Sequence, residues 1–245
     1  MAKEKAKATT GGGGLGTKEV KEVGLAGTSK TVLPGNHELF IREISLEQIG
    51  AHSKKVNGYH VVLHLESKPI GPDFEGFFLD PKDESKGRYT GQVARVKTGN
   101  WPYSDGRTKT GVVIKRDQEI LKILKTICVS AGQLAWFEEA DGKYQTIEAF
   151  VEALNEEAPF KDVLVNFCIA AREYAKDNGH VGLDLFLPKF KDGVAIEAVG
   201  LEKSKLLKYD ASTHYEKLEA VEVAKFAGDD LPSDEGGAAP EEFTL

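Results

Sequence analysis

The segment Tyr59-His60-Val61-Val62-Leu63-His64-Leu65-Glu66 decides how this chain folds. Tyr59, Val61, Leu63 and Leu65 recur at every second position, and His60, His64 and Glu66 fall on the alternate places. A period of two belongs to a strand whose successive side chains point to opposite faces, so one face meets a core and the other meets water. Gly58 bounds the strand on its N-terminal side.

On the N-terminal side of this segment, His37-Glu38-Leu39-Phe40-Ile41-Arg42-Glu43-Ile44 is short, apolar-rich and partly alternating, and the turn signal Pro34-Gly35-Asn36 opens it. On the C-terminal side, Phe74-Glu75-Gly76-Phe77-Phe78-Leu79 reads as a third strand, ended by Asp80-Pro81-Lys82-Asp83. Extended chain then continues from Arg88 to Lys97, with Gln92-Val93-Ala94-Arg95-Val96-Lys97 alternating.

The period changes after Asp117. Ile120, Leu121, Ile123, Leu124, Ile127 and Cys128 recur at helical spacing, Asp117 is placed to cap the helix, and Gly132 stops the pattern after Ala131. A second helix is expected from Thr146, a cap residue, to Asn155, with Phe150, Val151 and Leu154 on its apolar side and Pro159 beyond its end. Strands return at Val163 to Ala170 and Gly182 to Leu187. They flank Lys176-Asp177-Asn178-Gly179, whose Asn-Gly pair supplies the positive φ of a hairpin turn. A further helix is expected over Ser212 to Phe226.

The predicted order is β-β-β-α-α-β-β: a mainly β, α+β fold in the manner of the five-stranded oligonucleotide-binding barrel, with helix plugging one barrel end. The sequence divides into a flexible Lys/Gly-rich start at 1–31, the body at 32–199, a partly helical extension at 200–227 and a disordered acidic tail at 228–245. Cys128 and Cys168 sit in apolar surroundings without a metal-binding or disulfide spacing, and are expected as buried small hydrophobes.

The chain carries a net charge of −7, unevenly distributed. From Glu219 to Leu245 eight acids face the single base Lys225, so that stretch holds all of the net acidity and the first 218 residues balance. From Lys86 to Arg116, by contrast, eight bases face Asp105 alone. Such asymmetry points to a polyanionic partner for the basic stretch.

Single strands are held by cations that track phosphates and by aromatic rings on which bases stack. The basic stretch interleaves both, and the candidate nucleic-acid-binding residues are Arg88, Tyr89, Arg95, Lys97, Trp101, Tyr103, Arg107 and Lys109, joined by Arg172 from a later cluster with Tyr174, Lys176, His180 and Lys189. The segment Gly99 to Gly106 is expected as an exposed loop presenting Trp101 and Tyr103. The tail acids compete with phosphates for the basic groove and become available to partner proteins when nucleic acid binds.

Asp229-Asp230-Leu231-Pro232 and Glu241-Glu242-Phe243 resemble the acidic, aromatic-ended tails of single-stranded DNA-binding proteins from bacteria and their phages, although Thr244 and Leu245 follow the aromatic here. The body, with Pro34-Gly35-Asn36-His37 opening its first strand and Glu119-Ile120-Leu121-Lys122-Ile123-Leu124-Lys125 midway, is similar to phage replication-module proteins. The resemblance implies a protein that coats and protects single-stranded DNA in phage replication or recombination. It also implies that Asp229, Asp230, Glu241, Glu242 and Phe243 recruit replication or recombination proteins.

Other classes have thinner support. Pro72-Asp73 with Glu84-Ser85-Lys86 matches the spacing of Mg²⁺-dependent nucleases, but the Glu-x-Lys lies in a polar, turn-like stretch where those enzymes need a strand. Gly11 to Gly14 lacks the strand before it and the Gly-Lys-Ser/Thr ending of a phosphate loop. The six histidines, at 37, 52, 60, 64, 180 and 214, form no metal set. The expectation is therefore a non-enzymatic, cytoplasmic protein without cofactor, metal, secretory signal or membrane span, its self-association left open. The alternative is a virion-associated or other structural protein whose tails engage proteins.

Overall fold

The computed structural model describes residues 30–49, 58–71, 74, 76–80, 83–176, 180–189 and 193–218. It is a mixed α+β molecule, mostly sheet with a few helices. Strand β1 (Gly35–Gln48) is long enough to serve two neighbours. Its second half pairs antiparallel with β2 (Tyr59–Ser67), and its first half pairs antiparallel with β8 (Leu164–Ala175). A register irregularity between Ile41 and Glu43 lies where the strand passes from one neighbour to the other. An extra residue in one strand bends it in this way and closes sheets on themselves.

The remaining ring strands are β5 (Val93–Lys97), antiparallel to β2, and β9 (Val181–Phe186), parallel to β5 and antiparallel to β8. The order β1-β2-β5-β9-β8, with β1 returning to β8, makes a closed ring of five. As the sequence alternation requires, Val61, Leu63 and Leu65 of β2 are buried inside, with Ala94 and Val96 of β5 and Val165, Phe167 and Ile169 of β8.

Two short hairpins leave the ring. Among the described residues β3 (Phe77–Asp80) pairs with β4 (Asp83–Tyr89) and with no ring strand, which corrects the expectation of a third ring strand at Phe74 to Leu79. The third ring strand is β5, whose alternation buries Ala94 and Val96. The extended chain expected from Arg88 to Lys97 is interrupted at Thr90 to Gln92, where backbone N–H groups turn to side chains of β2. The buried Glu66 carboxylate accepts from Thr90 N at 2.9 Å and Gly91 N at 3.0 Å, and Ser67 Oγ accepts from Gln92 N at 2.9 Å. A Cβ at Gly91 would lie 2.2 Å from the Ser67 carbonyl oxygen, so only glycine fits that crossing. The second hairpin pairs β6 (Gly106–Arg107) with β7 (Val113–Ile114).

Between β5 and β8 lie α1 (Arg116–Ser130), α2 (Leu134–Glu139) and α3 (Ile147–Glu157). Ile120, Leu124, Ile127 and Cys128 form the buried stripe of α1, and Gly132, at φ +70°, ends it. Asp117 does not cap this helix. The cap position is Lys115, and Asp117 lies in the first turn, where a negative charge suits the helix dipole and pairs with Arg116 at 2.7 Å. Thr146 does cap α3, accepting from Ala149 N at 3.2 Å. Asn155 of α3 then meets β1: its Oδ1 accepts from Ile44 N at 2.9 Å, and its Nδ2 donates to Ile44 O at 2.7 Å.

The expected hairpin joins β8 to β9, with Lys176 N donating to His180 O at 2.9 Å; its Asp177-Asn178-Gly179 tip lies outside the described residues. Beyond Val199 the chain packs back on the body. β10 (Ile196–Ala198) pairs with β8, and buried Glu197 accepts from Lys205 N at 2.7 Å and Leu206 N at 3.0 Å, which seats Leu206 and Leu207 against the core. The helix expected over Ser212 to Phe226 is one turn, α4 (Ala211–His214), capped by Asp210, followed by β11 (Tyr215–Glu216) parallel to β8. Its remainder, the acidic tail and residues 1–29 lie outside the described residues. No described helix is long and apolar enough to cross a membrane.

Candidate nucleic-acid interface

The alternation that buries Ala94 and Val96 turns Arg95 and Lys97 to the outer face of β5. On the neighbouring β2 the outer positions are His60, Val62, His64 and Glu66, and Val62 is fully buried although it lies outside the core. Strand register explains this cover. Lys97 lies opposite Val62, Arg95 lies opposite His64, and Glu47 of β1 lies opposite His60. Arg95 Nε nevertheless donates to Glu47 Oε1 at 3.1 Å, so its side chain crosses β2 diagonally over Val62.

On the other flank, Lys97 Nζ donates to Asp184 Oδ2 of β9 at 2.8 Å. Asp184 is in register with Arg172 of β8, whose guanidinium pairs with Glu216 of β11. The outer face therefore carries three acids and three bases, Glu216 with Arg172, Asp184 with Lys97, and Glu47 with Arg95. His60 lies within the field of both central pairs, and burial, with Lys97 beside it, lowers its pKa from the ordinary histidine value. His64 Nε2 shares a hydrogen bond with Ser45 Oγ at 3.0 Å.

At the other end of Arg95 a cleft of about 260 Å³ gathers Tyr89, His64, Arg42 and Lys30. Arg42, in the register irregularity of β1, is held by Glu66 at 2.6 Å. Half-buried Tyr89 supplies an aromatic ring beside three cations, the combination a stacked base and its phosphate require.

The structure divides the sequence-predicted residues. Arg95, Lys97 and Arg172 share the outer face of the ring with Tyr89 at its cleft, and Arg88 is exposed at the adjacent end of β4. Arg107 and Lys109 are exposed on the β6–β7 hairpin, so the basic stretch is spread over separate elements. Of the two rings in the Gly99 to Gly106 loop, Trp101 is 69 % exposed, whereas Tyr103 corrects the expectation. Tyr103 packs against the core, exchanges two backbone bonds with Tyr59 at 2.9 and 2.7 Å, and shares a hydrogen bond with Thr98 Oγ1 at 3.1 Å. Its hydroxyl pKa is raised by burial. Tyr103 anchors the loop that carries Trp101.

Sequence reasoning missed Arg42, Glu47 and Asp184; the alternation of β2 had already put His60 and His64 on the polar face. Asp229, Asp230, Glu241, Glu242 and Phe243, and Pro72-Asp73 of the nuclease pattern, lie outside the described residues, while Glu84-Ser85-Lys86 lies on β4, which corrects the turn-like reading of that stretch. Among the described residues no group of three His, Cys, Asp or Glu is placed to hold a metal ion. Cys128 and Cys168 are buried as expected, and burial pushes both thiols up to about 11. A larger cavity of about 620 Å³ lies among α1, α2 and α3, lined by Leu121, Phe137, Tyr144 and Phe150 with Lys122, Lys125, Glu138 and Asp141; none of the sequence-predicted residues reaches it. Compared with protein-family models, curated proteins and solved structures, the chain has no significant match.

Proposed function

We propose that this protein binds single-stranded DNA without sequence preference, as a non-enzymatic coating protein of replication or recombination. The observation that carries the reading is the outer face of the ring, where Arg95 and Lys97 of β5, Arg172 of β8 and the Tyr89 cleft lie. The ring supports an oligonucleotide-binding barrel: its third and fifth strands pair in parallel, its first and fourth close it, and helices lie between the third and fourth. In that architecture the face of the second and third strands, here β2 and β5, receives the oligonucleotide. Cations there track phosphates, Tyr89 and exposed Trp101 stack bases, and the absence of a base-reading demand makes the binding tolerant of sequence.

The tail belongs to the same proposal. Asp229, Asp230, Glu241 and Glu242, tethered to the body, compete with phosphates for the basic face, and Phe243 gives replication or recombination proteins an aromatic anchor once the tail is displaced. The setting is the cytoplasm, of the bacterial host if the chain is phage-encoded.

The test is fluorescence anisotropy of labelled oligo-dT and of a duplex of equal length, at two salt concentrations without divalent metal. Salt-sensitive preference for the single strand is the expected result. Absence of binding at low salt would overturn the proposal and favour a structural or interaction protein.

A further inference from the structure

The two cations of β5 on the outer face are claimed by acids of other ring strands. Arg95 and Lys97 both stand on β5, and their acids arrive from opposite sides, Glu47 from β1 across β2 and Asp184 directly from β9. Neither acid is deeply buried: the side chains of Glu47 and Asp184 are 38 % and 28 % exposed. Exposed pairs such as Arg95–Glu47 contribute little to stability, whereas Lys97–Asp184 is part-buried, the Lys97 side chain being 20 % exposed. A carboxylate presents to a guanidinium or ammonium the same charged oxygens that a phosphate does.

We propose that Glu47 and Asp184 are displaceable stand-ins for phosphate, so that nucleic acid binds this face by exchanging carboxylates for phosphates. The inference rests on the function proposed above and names the residues that set its selectivity. In the free protein the row is close to neutral, so a polyanion that offers charge alone gains little by entering it. A single strand gains more, because its bases stack on Tyr89 and Trp101 while its phosphates displace the carboxylates. Glu47 and Asp184 thereby discriminate between a flexible strand with accessible bases and a bare polyanion such as heparin.

The exchange has a signature in salt dependence. A cation that leaves a carboxylate for a phosphate returns a charge to solution, and that carboxylate takes up a counterion, which offsets the one released from the strand. Each cation freed beforehand makes log K against log salt steeper by roughly 0.7 for a single strand.

The experiment is a double-mutant cycle on the full chain, read by anisotropy of labelled oligo-dT with heparin as competitor. Asp184→Asn is expected to tighten oligo-dT binding by at least roughly two- to fivefold, the size of an exposed ion pair being the lower bound for this part-buried one. It should also steepen the salt slope and strengthen heparin competition. In a Lys97→Met background the same substitution should do none of these, because the phosphate site is gone. Glu47→Gln with Arg95→Met repeats the cycle on the second pair, should either variant of the first fail to fold. An equal gain with and without the cation, or no gain from either acid, would overturn the exchange while leaving oligo-dT binding by the wild type intact. A wild type that binds no oligo-dT would overturn the functional reading beneath it.

Discussion

Trp101 and Tyr103 are two residues apart and chemically alike, yet their environments separate their roles. Trp101 is 69 % exposed and is the ring that the proposed function stacks on a base, so Trp101→Ala is expected to weaken oligo-dT binding by about 1–3 kcal/mol. Binding equal to wild type in the anisotropy titration would remove Trp101 from the interface. His60 gives a pH prediction of definite sign. Its folded-state pKa lies below the ordinary value near 6.5, so between the two the unfolded chain binds more protons. Its contribution to stability is full above about pH 6.5 and is lost as pH falls toward the folded value. The urea midpoint should therefore drop less between pH 7 and pH 5 in His60→Gln than in wild type, and equal drops would contradict the assignment. At Gly91, where a Cβ would meet the Ser67 carbonyl at 2.2 Å, Gly91→Ala should cost about 1–3 kcal/mol in a denaturation experiment, because neither backbone can yield without breaking the turn.

Elements with many residues on one period were legible in the sequence, and those defined by distant partners were not. The alternation of β2 predicted its buried Val61, Leu63 and Leu65, and the helical spacing of Ile120, Leu124 and Ile127 predicted α1. Leu134 to Glu139 is too short to establish a helical period, so α2 was missed; its Trp136 and Phe137 are instead ordered by edge contacts with Phe150 of α3. Phe77-Phe78-Leu79 has as much strand character as Val93 to Lys97, and which of them joins the ring depends on pairing with β2, which local pattern does not encode. The outer face shows the same limit. Arg95 and Lys97 were visible as cations, but their acids lie 48 and 87 positions away and become partners only when the ring closes. At the closure between α3 and β1, Asn155→Ala would strip the N–H and C=O of Ile44 of their side-chain partner. A loss of about 1–3 kcal/mol is expected by urea denaturation, and an unchanged midpoint would show that this bridge is dispensable.

At the scale of the whole molecule, the sequence places its net negative charge from Glu219 onward, whereas the cations of the proposed interface are distributed over a ring face whose own acids nearly neutralise them. Removing residues 229–245 is therefore expected to tighten oligo-dT binding several-fold at low salt, by roughly the competition of a tethered polyanion, with the difference shrinking as salt rises. Unchanged affinity at low salt would refute tail competition without touching the ring face. The central claim, that single strands lie across the outer face of β2 and β5, is tested most directly by photocrosslinking an oligo-dT carrying 5-iododeoxyuridine to the full chain and mapping the adducts by mass spectrometry. Adducts at Tyr89 and Trp101 are the predicted result; adducts confined to the α1–α3 surface, or none under conditions of saturating strand, would contradict it.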